Sequence, residues 1–154
     1  LDVIVMTSNA PATPVLDIAR IEALLDASFP QIHSGGRNLV IEQVGHRTAR
    51  VRLKTQAHNI RPGGTVSGPA MFTLADFAVY VAIIGNLGES GIEAVTTNMN
   101  INFLSKPEPR DMTAHVRLLR LGRRLAVGEV EITSDGSPDM VAHAIATYSL
   151  PSQR

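Results

Sequence analysis

The spacing of apolar residues changes character several times along the chain. Between Val15 and Phe29, Ile18, Ile21, Leu24 and Leu25 recur at helical spacing, with Asp17 and Glu22 toward the start. That pattern predicts a short amphipathic helix. "FPQIHSGGRN" follows as turn material. In "LVIEQVGHRTARVRLKT" the period falls to two. Ala49, Val51 and Leu53 alternate with Arg50, Arg52 and Lys54, as in a half-buried strand, and Gly45-His46 marks a turn between two strands. "QAHNIRPGGTVSG" is a glycine-rich loop that runs into an apolar stretch from Pro69 to Ile84. This stretch of about 16 residues is apolar all round, which predicts a buried helix, and it is short of the ~20 residues of a membrane span. After "GNLGESG" the chain turns to β patterning. "AVTTNMNINFLS", "DMTAHVRLLRLG", "RRLAVGEVEITS" and "DMVAHAIATYSL" are strand-length, punctuated by "KPEPR", "GRR" and "SDGSPD".

The predicted order is helix, two strands, long helix, four strands. Short links between the last four strands make most of the sheet antiparallel. The expectation is an α+β domain over residues 15–154, with a sheet of about six strands curled around one helix. Residues 1–14 read as a loose arm. One helix leaves an edge and part of a sheet face bare, and dimerisation is the usual remedy.

Composition narrows the chemistry. Among 154 residues there are 14 basic and 14 acidic side chains and no cysteine. That balance argues against a protein that coats nucleic acid or a membrane surface. The missing cysteines exclude disulfides, zinc–thiolate sites and thiol nucleophiles. His33, His46, His58, His115 and His143 lack metal-ligand spacing, so no metal is expected. "LDVIVMTSNAPATP" lacks the basic start and small-residue cleavage site of a signal peptide. A cytoplasmic location is the expectation.

Asp76 is the anomaly, a carboxylate inside "TLADFAVYVAII". Bland explanations are an exposed helix edge or a structural acid held by a fixed donor. Burial without a partner is not viable, because desolvation would cost several kcal/mol or force protonation. The segment before the helix offers a functional alternative. "GGTVSGP" places Ser67 or Gly68 at the cap and Pro69 in the first turn. The first N–H groups of a helix are unpaired and bind anions or developing oxyanions. Gly68 and Asp76 lie about 12 Å apart along a helix, too far to touch one carbonyl. In a two-fold dimer with antiparallel helices, the Asp of one subunit meets the helix start of the other.

Over residues 38–150 the chain resembles the hotdog-fold acyl-CoA thioesterases, nearest the branch of the phenylacetate-catabolism thioesterases. The resemblance rests on "VSGPAMFTLAD", on the strand "VTTNMNINFLSK" and on the hairpin "RLGRRLA". It implies that Asp76 is the catalytic acid, acting as general base or nucleophile. It implies that the Gly68 N–H polarises the thioester carbonyl and that Thr96 positions water. Asn59 resembles the loop Asn that holds water or substrate, about two residues out of register. Lys106, Arg123 and Arg124 resemble the basic positions that contact the nucleotide end of coenzyme A, although a run of arginines is equally a solvated hairpin. The family's frequent motif His is Ser67 here and its second Gly is Pro69, with His58 a candidate to compensate. Phe72, Val79, Tyr80 and Ile83 predict an apolar acyl pocket beside Asp76, suited to aromatic or medium-chain groups. Coenzyme A enters only as part of the substrate, and no separate cofactor is expected. A homodimer pairing to a homotetramer is implied. The alternatives are a hotdog protein that binds acyl-CoA without turnover and, less favoured, a hydratase.

Overall fold

The computed structural model describes residues 13–152. The arm expected over residues 1–14 falls outside them apart from Thr13 and Pro14. Helix α1 (Ile18–Ser28) starts where the Asp17 carboxylate accepts from the Arg20 N–H at 2.9 Å. It buries Ile21 and Leu25, two of the periodic apolar residues. A 3-10 turn over Pro30–His33 follows.

Strands β1 (Leu39–Gly45) and β2 (Thr48–Leu53) form the hairpin read from the alternation, with Arg47 at φ 54° in its turn. The glycine-rich loop holds more structure than its composition predicts. It contains a 3-10 turn at Ala57–Asn59 and a ribbon of β3 (Ile60–Arg61) against β4 (Thr65–Val66). Two-residue strands are too short to leave a period in sequence.

Helix α2 (Gly68–Leu87) is 20 residues long, because Gly68 opens it and Gly85, Asn86 and Leu87 extend it past the apolar run, with Asn86 Nδ2 donating to the Ala82 carbonyl. It is long and apolar enough to cross a bilayer, yet here most of it lies inside the fold. Ser67 caps it, its Oγ accepting from the Ala70 N–H at 3.2 Å, and Pro69 sits in the first turn where no N–H is needed. Past a 3-10 turn at Glu89–Glu93 come β5 (Val95–Phe103), β6 (Met112–Leu121), β7 (Leu125–Ser134) and β8 (Met140–Ser149).

The six long strands form one antiparallel sheet in the order β1-β2-β6-β7-β8-β5. α2 packs against every one of them, so the sheet wraps the helix as expected. The sheet comes close to α2 at Gly128 of β7, where an added Cβ would stand 3.0 Å from a Val79 methyl. Only glycine lets the sheet come that near. α1 closes one side of α2 and leaves β5 as a bare edge strand.

Candidate functional site

Asp76 is neither on an open helix edge nor buried alone. Its Oδ1 accepts from Thr96 Oγ1 at 2.7 Å and lies 2.5 Å from the donating Tyr148 Oη. Tyr148 Oη also stands 2.9 Å from the Asp76 carbonyl oxygen. Sheet pairing assembles this cluster. Thr96 of β5 lies opposite Tyr148 of β8, and the register shifts between Thr96 and Asn98. Such a bulge re-aims side chains, here next to the carboxylate.

No described residue donates to Asp76 Oδ2. That oxygen is not enclosed, because His33 Nδ1 is the one buried side-chain polar atom without a partner among the described residues. Oδ2 therefore meets the cleft.

The cleft has a volume of about 780 Å³. Asp76, Thr96 and Tyr148 stand along one side, and Phe29, Phe77 and Tyr80 supply aromatic wall. Tyr80 stacks on Tyr148 with ring centroids 6.3 Å apart and planes 7° apart. Phe29 meets Tyr80 edge-on at 6.3 Å. The Tyr80 hydroxyl donates to the Ile92 carbonyl at 2.5 Å. Burial pushes the Tyr80 phenol up to about 12. Burial first, and then the charge of Asp76, drive Tyr148 far above the ordinary phenol range. Both hydroxyls therefore remain donors at neutral pH.

The predicted residues separate into groups. Asp76, Thr96 and Tyr80 come together in the cleft. Phe72, Val79 and Ile83 do not line it within one chain. Phe72 is 40% exposed near the start of α2, while Val79 and Ile83 are fully buried. The cleft opens on the side of α2 that presents Thr73, Asp76, Phe77 and Tyr80, and Val79 turns toward Gly128 of the sheet.

Ser67 caps α2, and Gly68 opens it. Among the described residues nothing accepts from the Gly68 N–H. Phe103 of β5 lies over Gly68, so that an added Cβ would stand 3.2 Å from the ring. Asn59 caps the 3-10 turn, its Oδ1 accepting from the Gln56 N–H at 2.9 Å, and it lies outside the cleft. His58 is exposed on the same turn. Lys106 lies after β5, whereas Arg123 and Arg124 sit in the β6–β7 hairpin beside a separate depression of about 570 Å³. Within one chain these basic residues flank opposite ends of β6, roughly 30 Å apart for a strand of that length. They do not form one patch there.

Sequence reasoning missed Tyr148, and a signal was present. In β8 the helix-facing positions Ala142, Ala144 and Ala146 are small, and Tyr148 breaks the series. A large side chain with a polar tip after three alanines marks where the helix carries something polar.

Residues 63–141, just over half the chain, match the family model described as the thioesterase superfamily. The chain belongs to the thioesterase superfamily. A candidate thioesterase from Silicibacter sp. TM1040 is 41% identical, with a TM-score of 0.79 over 92% of this chain and 96% of that one. A candidate esterase from Saccharolobus solfataricus is 24% identical over 91% of this chain and 89% of its own length. A mutant form of the phenylacetic acid degradation protein PaaI from Thermus thermophilus shares the fold. It is 22% identical, with a TM-score of 0.67 over 79% of this chain and 99% of that one. The fold is therefore the hotdog arrangement of this superfamily, and hydrolysis of a thioester or ester is the general activity of such a domain.

Proposed function

We propose that this chain is an acyl-CoA thioesterase whose site is shared between two protomers, with Asp76 as general base. The observation that carries the reading is the Asp76 carboxylate, anchored through Oδ1 and open through Oδ2, at the wall of an apolar cleft. In the proposed step a water oxygen attacks the thioester carbonyl carbon while Oδ2 takes the water's proton. The carbonyl oxygen gathers negative charge beside a helix-start N–H. The C–S bond then breaks, and the departing sulfur receives a proton, giving a free acid and coenzyme A. A fixed donor at the oxyanion contributes about 2.7–4 kcal/mol, and a positioned base about 10²- to 10⁴-fold in rate.

Topology supports the shared site. The Val95 end of β5 lies beside Tyr148 and Asp76, and its Phe103 end lies against Gly68. β5 is an edge strand, with Val95 and Phe103 exposed at 62% and 51%. Pairing β5 with its copy about a two-fold axis runs the strands antiparallel. That carries Gly68 of the partner subunit toward Asp76. The same operation brings Lys106 of the partner subunit toward Arg123 and Arg124, which lie at the Val95 end of the sheet. The basic residues that are split within one chain then flank one cleft, as a coenzyme A nucleotide requires. Pairing of two dimers to a tetramer, and a role for Ser67 beyond capping, belong to the same proposal.

Thiol release from a panel of aromatic and straight-chain acyl-CoAs tests the reading. The native protein is expected to release thiol, and Asp76→Asn to be slower by about 10²- to 10⁴-fold. Equal rates would remove Asp76 from the mechanism. Tight binding without release by either protein would favour a binding module.

A further inference from the structure

Two hydroxyls converge on one oxygen of Asp76. Thr96 donates to Oδ1 across 2.7 Å and Tyr148 across 2.5 Å, while Oδ2 has no donor among the described residues. We propose that Tyr148 is a positioning residue for hydrolysis: with Thr96 it pins Oδ1 and so aims Oδ2 at the attacking water. The proposal rests on the reading of Asp76 as the base.

The surroundings fit a rigid donor. Tyr148 is 3% exposed, its ring lies flat against Tyr80, and its backbone is held opposite Thr96 by the β5–β8 ladder. Tyr80 is itself fixed, by the Ile92 carbonyl at its hydroxyl and by Phe29 at its ring. Tyr148 therefore cannot swing away without unpacking the wall of the cleft. A phenol has one proton to give. The Asp76 carbonyl at 2.9 Å would be enough to satisfy a buried hydroxyl. The carboxylate oxygen is nearer, and a bond to a charged acceptor is the stronger one. Thr96 alone leaves a carboxylate free to pivot about one contact. A second donor on the same oxygen removes that freedom and leaves the other oxygen to react.

The titratable groups facing the cleft are Asp76 and Tyr80 from α2, Glu93 from the turn before β5, and Tyr148 from β8. Glu93 is exposed. Tyr80 and Tyr148 stay neutral across the working range because burial holds their protons.

The test uses the full-length protein and the acyl-CoA it turns over fastest, comparing wild type, Tyr148→Phe, Thr96→Ala and Asp76→Asn. Tyr148→Phe is expected to keep its far-UV spectrum and a cooperative melt, to lose about 10- to 100-fold in kcat, and to change KM little. Tyr148→Met makes the same deletion with a flexible filler and is expected to behave alike. Placing 3-fluorotyrosine at position 148, which keeps the hydroxyl, is expected to restore the rate. A folded Tyr148→Phe or Tyr148→Met with wild-type kcat, or a loss of kcat that 3-fluorotyrosine at position 148 does not restore, would overturn the proposal and leave the role of Asp76 standing. A wild type without activity, or an Asp76→Asn chain at the wild-type rate, would overturn both.

Discussion

At the scale of single residues, a charge on an apolar helix needs an explanation, and two hydroxyls supply it. Asp76 is the one acidic position in α2, and the fold meets it with Thr96 from 20 positions away and Tyr148 from 72. The need for a partner was legible in sequence, because an unpaired carboxylate has no place in an apolar run. The identity of the second partner was not, because it depends on the pairing of β5 with β8 and on a bulge that no local period records. The acyl pocket divides in the same way. Tyr80, one turn beyond Asp76, lines the cleft, whereas Val79 and Ile83 are buried in the core. Helical spacing groups Val79 and Tyr80 alike with Asp76, and only the position of the sheet separates them. Paired substitutions check this division. Val79→Ala is expected to lower stability by about 2 kcal/mol in denaturant titration and to leave acyl preference unchanged. Phe29→Ala, at the cleft wall, is expected to shift kcat/KM toward bulkier acyl groups with a smaller loss of stability. If Val79→Ala moves the preference and Phe29→Ala does not, the assignment of the wall is wrong.

At the scale of elements, α2 carries both halves of the proposed site in one piece of structure. Its first turn offers an unpaired N–H, and its third presents the carboxylate. The capping pattern was readable down to Pro69, because cap chemistry is local. The β3–β4 ribbon in front of it was not. Ser67→Ala removes the cap and is expected to cost about 1 kcal/mol in stability. A larger fall in kcat than that loss explains would give Ser67 a part in the chemistry as well. The approach of the sheet to α2 gives a second test. Gly128→Ala puts a Cβ about 3 Å from the Val79 methyls and is expected to cost about 1–3 kcal/mol, seen as a lower melting midpoint. An unchanged midpoint would mean that β7 and α2 yield more easily than this packing implies.

At the scale of the whole molecule, both tyrosines of the chain lie in the site, so the site couples to alkaline stability. Their folded pKa values are raised above the unfolded phenol value. The native state then holds protons that the unfolded chain has released. Their contribution to stability is fully present below about pH 10 and declines as pH rises from there through about 12. Phenolate absorbance near 295 nm is expected to stay flat through pH 10 and to rise together with unfolding. A simple titration near pH 10 in a folded chain would contradict the packing of Tyr80 and Tyr148. The larger assembly bears on the central claim. One chain holds the proposed base and its anchors at one end of β5 and, among the described residues, a free N–H at the other, and a second chain turned about β5 would bring the halves together. Co-expression of Asp76→Asn chains with Gly68→Val chains tests this most directly, because the first removes the carboxylate and the second, its side chain crowded against the Phe103 ring, obstructs approach to the helix-start N–H that it leaves in place. The shared site predicts that the mixture regains about a quarter of wild-type activity, since about half of the dimers are mixed and each holds one intact site. A mixture as inactive as its two parents, with mixed dimers demonstrably present, would contradict it.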